Sequence, residues 1–136
     1  MIKTLVLFVL WGLVGHGVRA ADSDPYPRVI YEFTQKKVTF LESRTPAFTV
    51  TESCLKQGQF KCLAWDAVQR AKPLESLRPD DLIGGAEPGA VLCAKHFGGT
   101  PVFGKSPSGG TRSFCLFKDQ SLASSGSLLK KSTPTP

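Results

Sequence analysis

Glu87-Pro-Gly-Ala-Val-Leu-Cys93-Ala-Lys-His-Phe-Gly98-Gly99, followed by Gly109-Gly110-Thr-Arg-Ser-Phe-Cys115-Leu-Phe-Lys-Asp119, is the stretch that decides the fold. Pro88 suits the first position of a helix, where its missing N–H has no partner to lose. Ala90, Cys93, Ala94 and Phe97 then fall at i, i+3, i+4 and i+7, which predicts one buried stripe. Gly98-Gly99 ends the helix, because glycine accepts the left-handed conformation needed there. Thr100 to Lys105 reads as a strand, Ser106 to Gly110 as a turn, and Thr111 to Phe117 as the returning strand. Phe114 and Leu116 face one way; Ser113, Cys115 and Phe117 face the other. The unit is helix–strand–turn–strand, and Cys93 is within reach of Cys115.

Toward the N-terminus the pattern is strand-rich. Arg28 to Phe33 and Lys37 to Leu41 read as strands around a polar turn at Gln35-Lys36-Lys37, with Val38 and Phe40 on one face. Ser43-Arg44-Thr45-Pro46 breaks the second strand. Ala47 to Glu52 alternates, with Phe48 and Val50 opposite Thr49 and Thr51. These three strands predict a small antiparallel meander. Lys61 to Ala71 reads as a short helix with Leu63, Ala67 and Arg70 on one face and Trp65, Val68 and Gln69 toward the other; Lys72-Pro73 ends it. Residues 79–85 read as a connector. Gln120 to Pro136 is rich in Ser, Thr and Pro and reads as mostly disordered.

The first residues set the expected compartment. Met1-Ile-Lys3 is a positive start, Thr4 to Val18 is almost wholly apolar, and Val18-Arg19-Ala20 offers a cleavage point after Ala20. The apolar core is too short to span a membrane and no later segment approaches that length. Residues 1–20 are thus expected to be a signal peptide, and the remaining chain a secreted or periplasmic protein with no membrane span. Residues 21–27 read as a flexible leader. The organisation expected is a strand-rich half with one helix at 21–85, the cysteine unit at 86–119 and a disordered tail at 120–136.

Lys3 and Arg19 fall in that peptide, so 15 of the 17 basic residues remain against 11 acidic ones, a net charge of about +4. The cations are scattered, with only Lys36-Lys37 and Lys130-Lys131 adjacent. Nucleic acid and anionic surfaces call for a run or a stripe. An ordinary solvated surface is the better reading, and nucleic acid is not among the expected partners.

All four cysteines lie beyond the expected cleavage point. An even count in a small exported chain predicts disulfides. Three pairings are possible; Cys54–Cys62 and Cys93–Cys115 are preferred because each closes a local unit. By the chain-entropy account each contributes about 2–4 kcal/mol. Zinc competes, but structural zinc usually brings close Cys-x-x-Cys pairs, which the sequence lacks, and no metal or cofactor is expected. The fold class expected is α+β: a small antiparallel sheet with two short helices, braced by disulfides.

The order Pro88, Val91, Cys93, Gly98-Gly99, Cys115, Phe117, Asp119 and Ser121 resembles a small cysteine-containing bacterial domain family of unknown function, loosely given the label hemolysin. The resemblance covers residues 87–121, about a quarter of the chain. It implies an exported bacterial protein and no known reaction. The sequence departs from the family at Glu87, where Asn is usual, and at Gln120, where Gly is usual. Ala123 and Gly126 stand near the places of a further cysteine and a tryptophan.

Candidate chemistry is sparse. Cys93 and His96 sit three apart and could form a thiolate–imidazole pair, which gives the alternative reading of a small secreted hydrolase. Against it, an oxidised Cys93 and a His96 near the positive-charge-favouring end of the helix explain both residues. A triad of His96, Asp119 and one of many serines lacks a Gly-x-Ser-x-Gly elbow. Asp80-Asp81 reads as a capping or solvated turn, and Gly84-Gly85 and Gly109-Gly110 as turn pairs without phosphate-loop context. Trp65 and the phenylalanines read as core or as a groove lining, and a strand edge of the meander as a place where an extended peptide adds. The expectation is a non-catalytic binding module for a protein, a peptide or a cell-envelope polymer, with an inhibitor of a secreted hydrolase as one specific version and an envelope-assembly subunit as another. Trp65, Lys105 and Arg112 are the candidate binding residues, the last two on the hairpin loop from Lys105 to Arg112, because loops on a rigid frame commonly hold binding groups.

Overall fold

A computed structural model of the protein describes residues 25–131. The expected signal peptide and residues 132–136 lie outside the described residues. The strands are β1 (Arg28–Phe33), β2 (Lys36–Arg44), β3 (Ala47–Thr51), the short pair β4 (Leu55–Lys56) and β5 (Gln59–Phe60), β6 (Thr100–Lys105), β7 (Thr111–Leu116) and β8 (Leu122–Ser124). The helices are α1 (Leu63–Gln69) and α2 (Pro88–His96).

Six of the strands close into an antiparallel barrel in the order β1-β2-β3-β8-β7-β6. The sheet is therefore neither a three-stranded meander nor confined to one half of the chain. β8, from the segment expected to be disordered, lies between β3 and β7, pairing Val50 with Ala123 and Phe114 with Ser124. The seam between β1 and β6 is narrow, a single pair of Glu32 with Lys105.

The tail folds despite its composition because three of its four buried serine hydroxyls have partners inside the protein, Ser125 Oγ being the exception. Ser121, Ser124, Ser125 and Ser127 are all buried. Ser127 Oγ accepts from Thr49 N–H at 2.9 Å and shares a hydrogen bond with Ser124 Oγ at 2.7 Å. Ser121 Oγ accepts from Ala64 N–H at 3.0 Å. A buried hydroxyl is costly only when unpaired, so small polar residues serve as core here. Gln120 turns the chain with φ +67°, a region glycine enters without strain.

Alternation sorts the apolar residues into two cores. Tyr31, Phe40, Phe114 and Leu122 fill the barrel, with Val29, Phe33, Val38, Val102 and Leu116 around them. Their rings pack tilted or edge-on, with Phe40 and Phe114 centroids 4.7 Å apart. The second core lies outside the barrel wall, where Phe48, Val50, Cys115 and Ala123 meet Ala64 and Ala67 of α1, Leu92 and Cys93 of α2, and Leu128. The predicted opposition of Phe114 and Leu116 to Cys115 and Phe117 matches this division.

The buried face of α2 is shifted from the expected stripe, and α1 is shorter than expected. α2 buries Gly89, Leu92 and Cys93, while Ala94 is exposed. The cause is a close approach at Gly89, where a Cβ would stand 2.2 Å from the Ser125 carbonyl oxygen. Glu87 caps this helix, accepting from Gly89 and Ala90 N–H, and takes the Ser113 hydroxyl from β7 at 2.8 Å. α1 starts later than Lys61 and ends before Ala71; it buries Ala64 and Ala67 and leaves Leu63 exposed. The leader is held at Tyr26, whose ring packs on Phe48 and Phe60.

The cysteines pair Cys54 with Cys62 and Cys93 with Cys115, the two local links. The first closes the β4–β5 hairpin and the second ties α2 to β7. The loop lengths, 8 and 22 residues apart in sequence, correspond to about 2.5 and about 3.5 kcal/mol. Gly99 leaves room for the second link, since a Cβ there would meet Cys115 Sγ at 2.3 Å.

Candidate functional site

The barrel interior is polar at one mouth. Arg112 Nη1 donates to Tyr31 Oη at 2.8 Å and to Glu42 Oε1 at 3.1 Å, and Nη2 reaches Thr49 Oγ1 at 3.4 Å. Tyr31 Oη in turn donates to Glu42 at 3.1 Å. Three strands therefore hold the guanidinium in place, and its charge has one carboxylate partner.

Above this cluster lies a cavity of about 790 Å³, open to solvent. The turn between β2 and β3 forms one side, through Arg44 and Pro46. Trp65 and Val68 of α1 form another, and Lys130 and Lys131 close the third. Lys72 N–H donates to the Leu128 carbonyl at 2.9 Å and Lys130 N–H to the Lys72 carbonyl at 2.8 Å. Those two bonds fix the backbone that brings the final lysines to the groove.

Trp65 is held by three separate devices. Its ring stacks on Phe60 with centroids 4.4 Å apart and meets Phe48 edge-on at 5.0 Å. Phe60 belongs to the hairpin closed by Cys54–Cys62, so the first disulfide backs the indole. The start of α1 is capped from the far end of the chain: Leu63 N–H donates to Asp119 Oδ2 at 2.8 Å and Ala64 N–H to Ser121 Oγ. Burial pushes the Asp119 carboxyl up, but hydrogen bonds from Leu63 N–H and from the hydroxyl and N–H of Ser121 outweigh it and hold its pKa below the usual carboxylate value.

Two of the three candidate binding residues, Trp65 and Arg112, thus line one groove. Lys105 does not join them; it borders a smaller cavity of about 300 Å³ at the β1–β6 seam, with Glu32 and Phe103. Barrel closure separates the two ends of that hairpin, because Arg112 faces the interior while Lys105 pairs across the seam. Arg44, Lys130 and Lys131 are not among the binding residues the sequence suggested, although Lys130-Lys131 stands out there as an adjacent basic pair. Arg44 stands far from the adjacent pair Lys130-Lys131 along the chain, and closure through β8 brings them to one groove.

The other candidate chemistry falls out differently. Cys93 is wholly buried and bonded to Cys115, so the thiol of the hydrolase reading does not exist in this structure. His96 is exposed at the end of α2. Asp119 is engaged with α1 and Ser121, as described. Asp81 accepts from Arg78 N–H and from the Lys95 ammonium, and these bonds, the lysine's first, hold its carboxyl below the usual range. Among the described residues no cluster of three or more His, Cys, Asp or Glu side chains could hold a metal ion, and no helix is long and apolar enough to cross a membrane. No protein-family model, curated protein or solved structure matches the chain.

Proposed function

We propose that the protein is an exported, non-catalytic binding module whose ligand occupies the groove at the polar mouth of the barrel. The observation that carries this reading is the convergence of Trp65, Arg112, Arg44, Lys130 and Lys131 on one concave surface of drug-size volume. The frame supports it: two disulfides, a capped helix and a hydrogen-bonded polar cluster pre-set the groove walls, which lowers the ordering cost of binding. Export rests on the signal-like first residues and agrees with the two disulfides. The partner is a protein, a peptide or a cell-envelope polymer.

Capture from envelope and culture-supernatant fractions tests the reading. The chain should retain a component that Arg44→Glu combined with Lys131→Glu releases, while both proteins melt at the same temperature. Retention undiminished by the double variant would move the binding surface away from the groove.

A further inference from the structure

The groove carries more charge information than its sequence suggests. Four cations line it, Arg44, Arg112, Lys130 and Lys131, against one carboxylate, Glu42. Glu42 is already committed to Arg112. Arg44, Lys130 and Lys131 have no carboxylate partner among the described residues and are exposed. A concave surface with three uncompensated positive charges concentrates an anion, the more so when its walls exclude solvent.

The groove also shows how the anion would be held. Three backbone donors in and beside it are already used: Thr49 N–H is bonded to Ser127, and Lys72 and Lys130 N–H to carbonyls. A peptide adding as a strand needs a row of unpaired backbone groups along an edge, and these three donors are taken from such a row. A single-stranded nucleic acid needs a succession of aromatic platforms, whereas Trp65 is the one aromatic wall that is not fully buried, since Phe48 is 5% exposed. What remains is one packed indole beside exposed cations. An indole face suits the C–H face of a sugar ring, and guanidinium and ammonium groups suit carboxylates.

We infer that the groove takes an acidic saccharide, a chain of sugar rings bearing carboxylates, with a ring against Trp65 and its carboxylates on Arg44, Lys130 and Lys131. This inference rests on the groove being the binding site, and its test separates the two. Calorimetric titration of the chain with a short oligogalacturonate is compared with a neutral oligosaccharide of similar length, an oligoglutamate and a single-stranded oligonucleotide. Oligogalacturonate should bind most tightly, and its affinity should fall by about ten-fold or more between low and physiological salt. Lys130→Glu with Lys131→Glu should weaken it by a similar factor at unchanged melting temperature. Tighter binding of oligoglutamate or the oligonucleotide, still lost in the double variant, would overturn the saccharide class and keep the groove. Equal binding of the neutral sugar would overturn the role of charge. Oligogalacturonate binding unaffected by the double variant would overturn the groove itself, and binding of none of the four probes would overturn the inference while leaving the capture result to judge the groove.

Discussion

Followed inward along β7, the barrel changes from Arg112 at one mouth, through buried Phe114, to Leu116 at the other, and β8 repeats the gradient from Ser124 to Leu122. The polar mouth has a fixed hydrogen-bonded cluster and a wide groove with a cationic rim. The apolar mouth has a cavity of about 590 Å³ lined by Phe33, Val102, Leu116 and Leu122, beside an exposed Phe103. The same strands build both, so backbone pairing does not decide which end is cationic. The difference comes from which side chain the two-residue period delivers to each end.

The largest test removes what the two mouths share. Phe114→Ala empties the centre of the interior and should cost about 3–5 kcal/mol in denaturant unfolding. A loss under about 1.5 kcal/mol would mean that the mouths are not joined by a packed core. Next comes the polar mouth alone. Arg112→Leu leaves the Glu42 carboxylate and the Tyr31 hydroxyl without their cation and should cost about 1–2 kcal/mol, less than a fully buried pair because Arg112 is partly exposed. No loss would show that solvent serves these groups as well as Arg112 does. The smallest change belongs to the apolar mouth: Phe103→Ser should alter stability by no more than about 0.5 kcal/mol and raise solubility. A large destabilisation there would reverse the contrast, making Phe103 part of the core.

Much of the local structure was legible. The alternation of Ala47 to Thr51, the Ser106–Gly110 turn and the Pro88 and Gly98-Gly99 punctuation each act over a few residues, and each element lies close to where those signals place it. The barrel was not legible, because its closure depends on pairing across long sequence separations, Val50 with Ala123 above all. β8 is three residues, Leu-Ala-Ser, in a segment whose serines resemble disorder; their hydroxyl partners, such as Thr49 N–H, lie 78 residues away. The site divides the same way. Trp65 stands out as a single aromatic in a helix, and Arg112 as a cation on the hairpin. Lys130-Lys131 is visible as an adjacent pair, but its gathering with Arg44 around them is a property of closure and has no local sequence signal.

The insertion of β8 between β3 and β7 has a temporal consequence. A chain emerging from the ribosome in order exposes β1, β2 and β3 first, yet β3 gains its second neighbour only after residue 124 is out. The cap of α1 waits for Asp119 and Ser121 in the same way. β8 is therefore the keystone, and until it has left the ribosome the barrel cannot close, however early the strands it joins have emerged.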